Sequence, residues 1–231
     1  MRKVLACLAL CVALSALPAM ADIIIGNPPD PGSGNSFPWG NAYNAEYQQV
    51  YASSDFAGPI TITNLEFFNT QFDGGSTSLP TGTFTISLST TSAGVGTLSG
   101  DFNANKGGDN TVVFTGSIAQ AWTFGDTLHI VLDTPYTYNP ANGNLLMDVV
   151  GANVNNGGGT TFFDVHSGND NLFQRVYCPF GDPCDVGTVD TAGYGLVTGF
   201  STGGAVPEPG TLVMMGTGLI GVVGVIRRRL F

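Results

Sequence analysis

Basic residues are nearly missing from the body of this chain. Arg2 and Lys3 open the sequence, Arg227, Arg228 and Arg229 stand near its end, and only Lys106 and Arg175 lie between. Sixteen acidic residues fall in Asp22 to Val206, which gives that segment a net charge of about −14. Such a surface repels phosphate backbones and excludes nucleic acid as a partner. Histidine and glutamate are equally scarce: His129 and His166, and Glu46, Glu66 and Glu208. There is no G-x-S-x-G, no H-E-x-x-H and no closely spaced pair of glutamates, so the sequence marks neither an activated nucleophile nor a zinc-protease helix. The middle of the chain lacks a sustained i, i+3, i+4 apolar pattern, which excludes a helix-dominated domain, and lacks a fixed-period repeat, which excludes a solenoid or propeller. These absences favour a protein that is not an enzyme and needs no cofactor. The competing reading is a secreted carbohydrate-active hydrolase, because its many aspartates can pair in space without a sequence mark.

At 231 residues the chain has room for one sizeable domain plus targeting segments. The first 21 residues read as a secretory signal peptide. Arg2 and Lys3 form its positive start, Val4 to Leu17 its apolar stretch, and Ala19-Met20-Ala21 an A-x-A cleavage site that leaves Asp22 first. Pro18 interrupts the apolar run short of the roughly 18 residues that a membrane span needs. Cys7 and Cys11 leave with this segment. That export places Cys178 and Cys184 where oxidation persists, and a local disulfide is the natural reading.

Residues 22–205 read as one extracytoplasmic all-β domain. Short β-branched and aromatic runs alternate with Gly, Asn, Asp and Pro clusters. In Thr83 to Ser89, Phe84, Ile86 and Leu88 face one way and hydroxyl residues the other, the period of a half-buried antiparallel strand. Further strands are expected over 46–52, 60–69, 111–115, 128–132, 145–150, 161–165, 173–177 and 194–200. Two packed antiparallel sheets follow, an antiparallel β-sandwich or jelly roll, with Phe84, Ile86, Leu88, Leu128, Ile130 and Leu132 buried.

Several patterns suggest chemistry. Asp164 and His166 share a strand face at i, i+2, a spacing that suits a metal pair or a base with its orienting carboxylate. His129 alternates away from Leu128, Ile130 and Leu132 and belongs on a solvated face. Asp101 to Asp109 places oxygens at alternate positions as calcium loops do, but Lys106 stands where an EF-hand needs Gly and Val112 where it needs Glu. The identity of any metal stays open. Trp39, Trp122, Tyr43, Tyr47, Tyr51, Tyr136 and Tyr138 are the candidates for a sugar-stacking platform, against the competing expectation that they fill the core.

The C-terminus has three parts: Val206-Pro207-Glu208-Pro209-Gly210, an apolar run over 211–226, then Arg227-Arg228-Arg229. Pro207 and Pro209 keep the backbone extended and open to another protein's active site. As a transmembrane helix, 211–226 spans roughly 24 Å, a little short of a hydrocarbon core of about 30 Å. The arginines hold the end in the cytoplasm, with the β domain outside. Residues 206–231 as a whole resemble the PEP-CTERM sorting signal of bacterial exopolysaccharide-associated proteins, and the Gly-rich stretch from Gly216 to Gly221 is typical of it. The resemblance implies recognition by an exosortase at Pro207, Glu208 and Pro209, a basic stop at Arg227, Arg228 and Arg229, an inner-membrane intermediate, and delivery to the envelope or extracellular matrix with polysaccharide as a partner.

Overall fold

The computed structural model describes residues 22–41, 46–178, 184 and 186–202, all of them within the unit Asp22–Gly203. The expected signal peptide and the expected sorting tail with its membrane helix lie outside these residues, as does Tyr43. Among the described residues no helix is long and apolar enough to cross a membrane.

Twelve strands are described: β1 (Ile23–Ile25), β2 (Glu46–Tyr51), β3 (Ile60–Phe68), β4 (Thr81–Thr91), β5 (Thr111–Gly116), β6 (Thr127–Tyr138), β7 (Asn144–Asn155), β8 (Val165–Ser167), β9 (Phe173–Tyr177), β10 (Thr188–Val189), β11 (Tyr194–Leu196) and β12 (Thr198–Thr202). One four-residue helix, α1 (Phe102–Asn105), and two 3-10 turns, Ser53–Asp55 and Pro140–Asn142, interrupt them. The strands form a four-stranded sheet in the order β1-β12-β3-β6, a six-stranded sheet in the order β10-β9-β2-β7-β4-β5, and the pair β11-β8. All pairings are antiparallel.

Period-two patterning drives the two large sheets together. Leu65 and Phe67 of β3, Leu128, Ile130 and Leu132 of β6 and Phe200 of β12 share one core with Phe84, Ile86 and Leu88 of β4 and Tyr51 of β2. Aromatic rings bridge it: Trp39 lies 5.0 Å from the Phe67 ring and 5.5 Å from Phe84, and Tyr51 meets Phe200 edge-on at 4.9 Å. All six apolar positions expected in the core are buried. β6 is an edge strand and tolerates Pro135, whose missing N–H removes no ladder bond to a further strand.

A second cluster covers the outer face of the six-stranded sheet. Val50, Leu146 and Val176 point outward from β2, β7 and β9 and are roofed by Leu98, Phe102 and Cys178. Because of that roof, Leu145 to Val149 are all buried, on both faces of β7.

Two strand expectations need correction. The strand placed at 161–165 is β8, Val165–Ser167; upstream of it Phe163 only bridges to Asn35, and the Asp164 amide is taken by the Phe68 carbonyl at 2.7 Å. The run at 194–200 is two strands. Val197 donates to the Asp164 carbonyl at 3.1 Å, where the chain leaves β8 and joins β1 and β3.

Cys178 and Cys184 are disulfide-bonded, with Cα atoms 5.8 Å apart. The bond closes a short loop beside the buried Cys178, so replacing both residues by Ser should cost about 2 kcal/mol on the loop-entropy scale. Urea unfolding of the double variant checks this as a lower midpoint.

Candidate functional site

The charged and imidazole groups of the domain gather in a few clusters, each formed by strands that bring distant residues together. On the outer face of the six-stranded sheet, Lys106 Nζ lies 2.9 Å from Glu46 Oε1 and 3.2 Å from Asp148 Oδ2. Gln48 Nε2 donates to Asp148 Oδ1 at 3.0 Å and to the Phe102 carbonyl at 2.9 Å, while Asn105 Nδ2 donates to Gln48 Oε1 at 2.9 Å. Asp148 is only 4% exposed. Burial, and then the neighbouring Glu46 carboxylate, push its pKa up to about 6 against the pull of Lys106. Burial opposes the charge on Lys106, but its two carboxylate partners outweigh that and raise its pKa.

On the outer face of the four-stranded sheet, pairing sets Ile24, Gly199, Glu66 and His129 in one row. His129 Nδ1 lies 3.3 Å from Glu66 Oε1, and Ser201 Oγ donates to the same oxygen at 3.0 Å. The serine is thus bound to the carboxylate rather than to the imidazole. In a Ser-His-Asp triad the imidazole stands between hydroxyl and carboxylate, whereas here the Glu66 carboxylate stands between serine and histidine, so the trio lacks that order.

Asp164 and His166 are not brought together as a functional pair. Asp164 Oδ1 accepts from the amides of Thr70 and Gln71 at 2.7 and 3.0 Å, and its Oδ2 accepts from Thr70 Oγ1 at 2.6 Å. It fixes the turn after β3. His166 instead has Nε2 2.8 Å from Asp170 Oδ2 and Nδ1 3.0 Å from the Pro28 carbonyl. Burial lowers the His166 pKa, but these partners more than offset it and the net shift is upward.

Arg175 is buried between the rings of Tyr177 and Tyr194, at 4.6 and 4.5 Å, with Nε 2.5 Å from Asp190 Oδ2. The stacked guanidinium holds β9 against β10 and β11.

The calcium-loop pattern disperses. Asp101 caps α1 by accepting from the Asn103 amide at 2.9 Å, Asn105 turns inward, and Asp109 accepts from the Thr90 amide at 2.8 Å and from Tyr136 Oη at 2.9 Å. Among the described residues no group of three or more His, Cys, Asp and Glu side chains could hold a metal ion. Of the two readings of the aromatic candidates, the described ones follow the core. Trp39, Trp122, Tyr47, Tyr51, Tyr136 and Tyr138 are all buried, because bulky rings fill the space between twisted sheets better than they survive in water.

Asp55 provides a pH test of the electrostatics. Its Oδ2 is buried without a partner, and burial, then Asp170, push its pKa up to about 6. A carboxyl raised in the folded state favours folding below its unfolded pKa near 4 and loses that contribution as pH climbs through about 6. Asp55→Asn should therefore flatten the decline in melting temperature between pH 4 and pH 7, read by thermal denaturation of both proteins.

The sorting-tail residues Pro207, Glu208, Pro209, Arg227, Arg228 and Arg229 lie outside the described residues. A family model described as the PEP-CTERM protein-sorting motif matches residues 205–229. The chain carries a PEP-CTERM motif. It is accordingly an exosortase substrate: an exported, β-rich protein sorted to the cell envelope, with membrane anchoring part of that route. The PEP-CTERM match covers the tail alone and leaves the β domain to be read from its own residues. No curated protein matches the chain.

Proposed function

We infer that the chain is a non-catalytic component of the cell envelope or extracellular matrix, held at the surface in contact with polysaccharide. The match of residues 205–229 to the sorting motif carries this reading. On this view 211–226 pauses in the inner membrane as a short helix, Arg227 to Arg229 stay inside, and the exosortase acts at Pro207-Glu208-Pro209.

The geometry of the β domain supports a role without turnover. Glu46 and Asp148 come together as a pair of carboxylates, yet both are engaged by the same Lys106 Nζ, at 2.9 and 3.2 Å. Retaining glycosidases set their carboxyls about 5 Å apart across an open cleft, and inverting ones farther. Polysaccharide contact in this reading runs through hydroxyl- and amide-rich loops, since the two tryptophans and the four tyrosine candidates other than Tyr43 are buried in the core. Envelope-purified protein should bind matrix glycans on an array and release nothing from a chromogenic-glycoside panel. Turnover abolished by a single Asp→Asn change would replace this reading with the hydrolase.

A further inference from the structure

The cluster of Lys106, Glu46 and Asp148 has the parts for a covalent step that the sorting function does not use. Lys106 is the one lysine after residue 3. It sits at the C-terminal end of α1, on the segment that roofs the outer face of the six-stranded sheet, opposite the central strand β7. Its backbone is pinned on both sides. Before it, the Asn105 carbonyl accepts from Thr91 Oγ1 at 2.6 Å, and Asn105 Oδ1 accepts from the Ser99 amide at 2.9 Å. After it, the Gly107 amide donates to Ser89 Oγ at 3.2 Å, and a Cβ at Gly107 would stand 1.9 Å from the Thr90 carbonyl oxygen, so only glycine lets the chain lie this close to β4.

We propose that Lys106 and Asp148 form an intramolecular isopeptide bond, with Glu46 as the proton carrier. Glu46 takes a proton from the Nζ ammonium and passes it to Asp148 Oδ2, leaving a neutral amine against a neutral carboxyl. The Nζ lone pair attacks Cγ and forms the N–C bond. Gln48 Nε2, 3.0 Å from Oδ1, stabilises the charge that develops on that oxygen. Glu46 then moves a second proton from Nζ to the departing oxygen, the Cγ–Oδ2 bond breaks, and water leaves. One ammonium and one carboxylate become one secondary amide and one water, and no electrons are exchanged. Burial favours the neutral carboxyl on which attack depends, while the two carboxylates favour the charged ammonium, so proton removal by Glu46 is the step that releases the amine. Fixed placement of amine and acid replaces the encounter that makes amide formation slow in solution. The product ties the roof of the sheet to its central strand, an irreversible brace for a domain exposed to extracellular proteases.

The test uses the mature protein isolated from the envelope of cells expressing the full chain, denatured and reduced so that the Cys178–Cys184 bond does not contribute. The isopeptide bond leaves it about 18 Da, one water, below the mass of its sequence. Trypsin, which needs a free lysine side chain, then cuts after Arg175 but not after Lys106, and chymotrypsin, which cuts at aromatic residues such as Phe114 and Trp122 between the two positions, yields a branched peptide joining Lys106 to Asp148. Full mass with complete cleavage after Lys106 overturns the proposal and leaves an ion pair. Glu46→Gln, which keeps the side-chain size and a hydrogen-bonding end, should give the full-mass form with an ordinary cooperative melt. A Glu46→Gln protein cross-linked as fully and as fast as wild type would overturn the role of Glu46.

Discussion

Trp39→Ala should destabilise the β domain by about 3–5 kcal/mol, the range for deleting a fully buried large aromatic side chain. Trp39 is 0% exposed and lies between Phe67 of one sheet and Phe84 of the other, so its loss opens a cavity at the contact between the layers. The indole Nε1 has no hydrogen-bond partner, which leaves packing as its contribution. Backbone bonds hold the surrounding loop: the Gly40 amide donates to the Ser36 carbonyl at 2.6 Å, and Thr161 donates to the Gly40 carbonyl at 3.2 Å. With the loop so fixed, the walls have little freedom to collapse into the space. Total stabilities of about 5–15 kcal/mol make such a loss a large fraction of the whole. Equilibrium urea unfolding should show a much lower midpoint, whereas Trp39→Phe should retain most of the stability.

Glu208→Ala should leave unprocessed protein in the inner membrane. The substitution removes the one charge of Pro207-Glu208-Pro209, where the proposed reading has the exosortase act, while leaving the apolar run 211–226 and the three arginines untouched. Insertion depends on the apolar run and orientation on the basic end, so neither step should change. Cleavage depends on the motif and should fail. Fractionation followed by blotting for the β domain reads the outcome: a larger species confined to the inner membrane, in place of the shorter surface form. Neutral replacements at Arg227, Arg228 and Arg229 should act differently, weakening retention before the motif is processed.

Different physical scales explain what could be read from the sequence. The core positions of β4 and β6 were legible because alternation is local: Phe84, Ile86 and Leu88 declare their face within five residues. The sorting tail was legible because its three parts are contiguous and each acts without the rest of the fold. The disulfide was legible from export and a short spacing. β7 showed no clean alternation because the roof buries its outer face as well, and that roof is built from Leu98, Phe102 and Cys178, all remote from β7 in sequence. The Glu46–Lys106–Asp148 cluster was invisible for a related reason. Its members lie far apart in sequence and meet only once β2 pairs with β7 and the segment after β4 folds across them. The scarcity of basic residues, with Lys106 and Arg175 alone between Lys3 and Arg227, was the signal that pointed to Lys106, since each cation in so acidic a domain finds a carboxylate partner. The i, i+2 spacing of Asp164 and His166 misled because Asp164 precedes β8 rather than lying within it, and its carboxylate is spent on Thr70 and Gln71.

Intact-mass analysis of the protein recovered from the envelope of cells with an active exosortase tests the central claim most directly. Processing at the PEP-CTERM motif predicts a chain that begins at Asp22 and lacks the apolar run and the terminal arginines. A surface species that begins at Asp22 and still ends at Phe231 would contradict it and make the tail a permanent anchor.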